Sequence, residues 1–234
     1  MSNTPFLVKG GFLKSRNQYF NKKRAELVSI LTKGKEDAKH PETRALKSLS
    51  AKRDRFLRDC FYKVSHRIAR EATQRTCGKI VIGKNVMQKQ AINTGHVNNQ
   101  NFVQLPIAKF IDILTIVCLK YGIEVIRQEE SYTSKASFFD RDRIPTYGDG
   151  DIPPFSGKRV RRGLYRAADG TLVNADVNGS LNIGRKYDPT MFDRLDDTKQ
   201  FLSTEVLNFE DFYKGKNKTK VAAVTRSRSR VSGS

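Results

Sequence analysis

The chain contains no tryptophan, and only three cysteines and three histidines in 234 residues. Cys60, Cys77 and Cys118 are odd in number and far apart, which excludes a disulfide framework and offers no zinc-knuckle spacing. Cys60 and Cys118 fall on apolar helix faces and read as core residues. Acidic side chains are also scarce, 24 against 44 lysines and arginines, leaving a net charge of +20. An excess of that size points to a polyanionic partner, with nucleic acid first, against the plainer reading of merely solvated lysines. No apolar run approaches the roughly 18–20 residues of a membrane span. Residues 1–11 are too short and too little basic for a signal peptide. The cytoplasm is therefore the expected location, without a membrane partner. The length suits one domain with a full core, or a domain with an appendage.

In chain order, residues 5–14 predict two short extended runs about Gly10-Gly11, a hairpin signal. Residues 15–32 turn helical, with a basic, amide-rich side of Asn17, Asn21, Lys22, Lys23 and Arg24; Lys14, Asn17, Lys22 and Lys23 are candidate nucleic-acid contacts, with a solvated amphipathic helix as the alternative. After a charged linker, residues 42–75 form a long helix or helix pair. Its Leu57, Cys60, Val64 and Ile68 keep helical spacing opposite a face of arginines and lysines. Residues 80–82 read as a buried parallel strand and residues 85–101 as an amide-rich surface loop or lid. Pro106 opens an amphipathic helix that Gly122 closes, and a strand at 123–126 completes a βαβ unit. That unit sets Gly83 and Glu130 side by side at one sheet edge.

Residues 158–166 predict a basic strand paired with 171–174 through Ala168-Asp169-Gly170. Arg159, Arg161 and Arg162 suit phosphates there, and Tyr165 suits a stacked base. Residues 187–213 alternate acids and aromatics and are expected to pack back on the domain. Residues 214–234 are basic and serine-rich and read as disordered.

Two runs carry chemistry. Glu129-Glu130-Ser131-Tyr132-Thr133-Ser134-Lys135 ends a strand in two acids and a polar turn. Asn174-Ala175-Asp176-Val177-Asn178-Gly179-Ser180-Leu181-Asn182-Ile183 passes from an extended run into a helix, with Asp176 at the start as either metal ligand or helix cap. Acids at a strand end facing an acid at a helix start are what a magnesium-dependent phosphodiester site needs.

These two runs together resemble the C-terminal half of the OrfB/TnpB proteins of bacterial insertion sequences, relatives of type V CRISPR effectors. The Lys14, Ser15, Asn17, Gln18, Tyr19, Asn21, Lys22 run is similar as well. The resemblance extends to about residue 186. It implies an α/β, ribonuclease H-like (RuvC-type) domain with Mg2+ at its catalytic acids and with DNA and a guide-type RNA as partners. The expected layout is an N-terminal part of that domain at 1–136 and a degenerate zinc-ribbon-like insert at 137–172. A closing helix at 173–186 and an extension at 187–234 complete it.

Against that pattern the first strand, with its aspartate, is expected to be missing, leaving long basic helices and a sheet either split in two or closed by an unusual pairing. The second acid's position is Gly83. Glu130 is expected to supply that charge, with Glu129 in reserve, so the catalytic and metal residues expected here are Asp176 and Glu130, and catalysis is expected to be impaired. The ribbon's cysteine positions read Ser137, Asp140, Arg166 and Asp169, so no zinc is expected and an ion pair from Arg166 to Asp140 or Asp169 would join the hairpins instead. The leading reading is a transposase or RNA-guided DNA endonuclease fragment, with an intact relative in trans as an allowed partner. The alternatives are a nuclease-dead nucleic-acid-binding protein and a non-functional gene remnant.

Overall fold

The computed structural model describes residues 4–33, 42–84, 105–193, 195 and 197–209, and the backbone of 220–222. The expected loop or lid at 85–101 and the tail beyond 222 lie outside the described residues.

A short strand β1 (Phe6–Lys9) leads into helix α1 (Gly11–Thr32), so the expected hairpin does not form. Phe12 and Leu13 are drawn into the core instead: Leu13 is buried, and the Phe12 ring lies 6.1 Å from Phe56 and 6.5 Å from Phe209. Burial of these two side chains outweighs the local turn signal of the glycines. One helix, α2 (Arg44–Gln74), follows; Thr43 caps it by accepting the Leu46 N–H. Leu57, Cys60, Phe61 and Val64 form its buried stripe.

Strand β2 (Lys79–Lys84), helix α3 (Ile107–Lys120) and strand β3 (Glu124–Glu129) form the expected βαβ unit, with β2 and β3 parallel and Gly83 opposite Gln128; β2 is only partly buried, and β3 runs on to Glu129 instead of ending at 126. Gly122, at φ 70°, turns the chain from α3 toward β3. The apolar sides of α1, α2, α3 and this strand pair share one core, which also takes in Phe209.

Residues 158–166 are not one strand. Gly163, at φ 77°, folds β4 (Lys158–Arg161) back on β5 (Leu164–Arg166), with a bulge between Arg159 and Arg161, and β5 then pairs antiparallel with β6 (Leu172–Asn174). Helix α4 (Ala175–Tyr187) springs from the end of β6. Val173, Val177 and Leu181 pack with Phe138, Tyr165 and Phe201 in a second core. Past a 3-10 turn (Thr198–Leu202), β7 (Thr204–Asn208) runs parallel to β1, and β8 (Lys220–Ala222) lies antiparallel on its other side.

Among the described residues the strands thus fall into three sheets: β1-β7-β8, β2-β3 and β4-β5-β6. Where the sequence predicts a sheet split in two, or closed by an unusual pairing, the described strands form three separate sheets, one of them joined by the parallel pairing of β1 with β7. No described helix is long and apolar enough to cross a membrane.

Candidate metal and nucleic-acid site

The parallel register of β2 and β3 carries both strands to the same edge, where the Glu130 N–H bonds the Lys84 carbonyl at 3.3 Å. Glu130 then folds its carboxylate across Gly83. A Cβ at position 83 would overlap Glu130 Oε2 and come within 2.8 Å of Ile183 Cδ1 on α4. The strand offers Gly83 where an acid is expected, and the neighbouring strand's acid fills that space. Burial, and next the charge of Glu129, raise the Glu130 pKa above its ordinary value.

Asp176 stands in the first turn of α4, and the capping work belongs to another residue. Asn174 Oδ1 accepts the N–H groups of Asp176 (2.8 Å) and Val177 (3.2 Å). The Asp176 carboxylate is left free of that duty and 66% exposed, 3.8 Å from Arg159 Nη2 on β4. Glu130 and Asp176 line the same cleft of about 520 Å³, together with Lys135, Tyr147 and Arg159.

Glu129 does not serve as a reserve ligand. Its Oε1 accepts the Ser131 N–H at 2.6 Å, and its Oε2 is held by Lys186, whose ammonium also donates to the carbonyls of Ser131 (3.1 Å) and Pro145 (2.9 Å). Burial alone would raise the Glu129 pKa; the bonds from Lys186 and Ser131 outweigh it and hold the carboxyl below its ordinary range.

The turn after Glu130 is fastened to α4 by two buried amides that sequence reasoning passed over. Asn178 accepts the Phe138 N–H (3.0 Å) and donates to the Ala136 carbonyl (2.8 Å), while Asn182 donates to the carbonyls of Thr133 (2.9 Å) and Ala136 (2.7 Å). Two amides four residues apart on the apolar stripe of a helix were the available signal. Asn178→Ala leaves the Phe138 N–H and the Ala136 carbonyl without this partner and is expected to cost about 2–3 kcal/mol in urea unfolding. A loss below about 0.5 kcal/mol would mean that the turn is held otherwise.

The surface candidates divide. Lys14, Lys22, Lys23, Arg159, Arg161 and Arg162 are exposed, Lys23 being paired with Glu26 at 2.8 Å. Asn17 is fully buried and accepts the Arg53 Nε–H at 2.6 Å, so it braces α1 on α2 and cannot reach a phosphate. Tyr165 is no stacking platform: it is buried, its hydroxyl donates to the Lys135 carbonyl at 2.8 Å, and burial pushes its pKa up to about 12. In a strand packed on one face only, alternation sends Tyr165 inward.

The expected Arg166 ion pair is absent among the described residues. Asp140 instead accepts the Ala168 N–H at 2.9 Å, joining the two halves of the insert through a carboxylate-to-backbone bond. Asp169 turns to the N–H (2.8 Å) and hydroxyl (2.7 Å) of Thr171. Asp142 accepts the Ser137 N–H at 2.7 Å and the Ser156 hydroxyl at 2.6 Å. Among the described residues no group of three or more His, Cys, Asp or Glu side chains could hold a metal ion. Glu130 and Asp176 bring two carboxylates to the cleft that they line, the oxygen-donor type that magnesium takes.

Residues 1–88 match the family model OrfB_IS605, described as "Probable transposase", and residues 108–183 match the "Cas12f1-like, TNB domain". The two matches support a TnpB-like family for residues 1–88 and 108–183. A solved structure, the cryo-EM Cas12f1–sgRNA–target DNA complex, aligns at 16% identity and a TM-score of 0.47, covering 75% of this chain and 42% of that one. The chain therefore spans less than half of that protein. Comparison with curated proteins gives no match.

Proposed function

We propose that this chain forms the magnesium-binding, ribonuclease H-like part of an RNA-guided transposon DNA endonuclease and grips nucleic acid through exposed arginines beside the site. The observation that carries this reading is the Glu130 carboxylate lying over Gly83 and sharing a cleft with Asp176. A divalent cation held between those carboxylates would supply charge stabilisation at a phosphodiester and a lowered pKa for a bound water. Glu130 and Asp176 would orient that ion. Arg159 is 53% exposed and only loosely paired with Asp176, so it is free to turn its guanidinium to a backbone phosphate. Lys135 adds positive charge at the same cleft.

The test is magnesium binding by calorimetry, followed by cleavage of a DNA target with the element's RNA. Asp176→Asn and Glu130→Gln are each expected to weaken magnesium binding more than about tenfold and to abolish any cutting. Unchanged magnesium affinity in both variants would overturn the site. The two-acid cleft gives a second reading weight, that of a nucleic-acid-binding protein that does not cut; salt-dependent RNA binding without magnesium-dependent cleavage would select it.

A further inference from the structure

On another flank of α4 from the carboxylate cleft lies a larger cavity of about 690 Å³, within the range of small-ligand sites. Arg141, Arg143 and Arg185 face it, with the rings of Phe139 and Phe192 on its wall. Its acids are already engaged: Asp193 pairs with Arg141 at 3.4 Å, and Asp142 is turned to Ser137 and Ser156. Arg143 has Asp151 at 3.4 Å, and Lys186 has Glu129. Arg185 differs from these. It is half-buried, its one bonded contact is a donation to the Asp142 carbonyl, and it forms no ion pair among the described residues.

We propose that this cavity binds a nucleoside monophosphate unit, with the phosphate on Arg185 and Arg141 and the base against Phe139 and Phe192. A half-buried guanidinium with no carboxylate in direct contact, Asp142 acting on it only at longer range, is favoured by an added anion, and its planar fork fits a phosphate in two-point contact. Burial keeps the Arg185 pKa below its ordinary value; Asp142 opposes this, and the like charge of Arg141 adds to it. Those are the conditions that an entering anion relieves. Phenylalanine rings beside the cations add a stacking surface that accepts any base. The unit could be a free nucleotide or a residue of a strand, and the chemistry at the wall is the same. This inference does not depend on the carboxylate cleft.

The test uses the full chain in EDTA, with adenosine 5′-monophosphate as the probe in calorimetry and thermal-shift measurements. Binding is expected, weakened about tenfold or more in Arg185→Gln and severalfold in the exposed Arg141→Gln, which retains a folded protein if Arg185→Gln does not. Asp176→Asn should leave the affinity unchanged. A ten-nucleotide single-stranded DNA that competes with the probe identifies a strand as the source; failure to compete identifies the free nucleotide. The proposal is overturned if the probe does not bind, if it binds the arginine variants equally, if inorganic phosphate binds as tightly, or if Asp176→Asn removes binding. The last result would place the nucleotide in the other cleft.

Discussion

Gly83→Ala is expected to weaken magnesium binding at the proposed site more than about tenfold, although it changes neither carboxylate. The added methyl would occupy the space of Glu130 Oε2 and press on Ile183 Cδ1 at 2.8 Å. Both obstructing atoms end flexible side chains, so the fold absorbs the insertion at the usual cost of overpacking, about 1–3 kcal/mol. The carboxylate is what has to move. Removing it first should relieve the clash, so a Gly83→Ala/Glu130→Ala cycle followed by urea unfolding is expected to show coupling of about 0.5–3 kcal/mol. Returning an acid from the other strand, as Gly83→Glu with Glu130→Ala, should recover most of the magnesium affinity. Additive stabilities and no recovery in the exchange would mean that the two positions do not share one functional space.

Lys186→Met is expected to have the largest effect on stability, about 3–5 kcal/mol, because it leaves the half-buried Glu129 without its counter-charge and with only the Ser131 bond. The Lys186 side chain is 7% exposed and that of Glu129 21%, so solvent screens the pair far less than it screens the surface pairs of this chain. Lys186→Met combined with Glu129→Leu should return to within about 1–2 kcal/mol of the parent, since two apolar groups need no counter-charge. The pair also has a predictable acid response. Glu129 has a folded-state pKa below its unfolded value, so its contribution is complete above about pH 4–5 and is lost as the pH falls through the folded value. Unfolding curves at a series of acid pH values should show that loss in the parent and not in the double variant. Equal slopes would remove the ion pair from the account.

The parts of the chain that were legible in the sequence are those with a strong period or a strict turn. Helix α3, bracketed by Pro106 and Gly122, and the parallel strands on either side follow from apolar spacing alone, and with them the neighbourhood of Gly83 and Glu130. What could not be read depends on partners distant in sequence. Phe12 and Leu13 extend α1 because a core built by α2 and Phe209 receives them. Asn17 and Tyr165 carry polar groups that read as surface, yet each finds one hydrogen-bond partner distant in sequence, Arg53 and the Lys135 carbonyl, that offsets part of the cost of its burial. Asp176 and Asn174 compete for the same cap, and only the geometry of the β6–α4 junction assigns it to the asparagine. Of the adjacent acids, Glu130 is the one expected at the site, with Glu129 in reserve; Glu129 ends the strand and is held by Lys186, while Glu130, the next residue, lies across Gly83.

The bond between β1 and β7 sets an order of events during synthesis. Phe6 lies opposite Glu205, so β1 leaves the ribosome long before its neighbour exists. Until β7 has been made, the β1 edge and the apolar side chains beside it have no lasting cover, and closing so long a loop is slow compared with forming the helices. The helical core can assemble before this sheet, and during that interval the β1 edge is open to pairing with other chains.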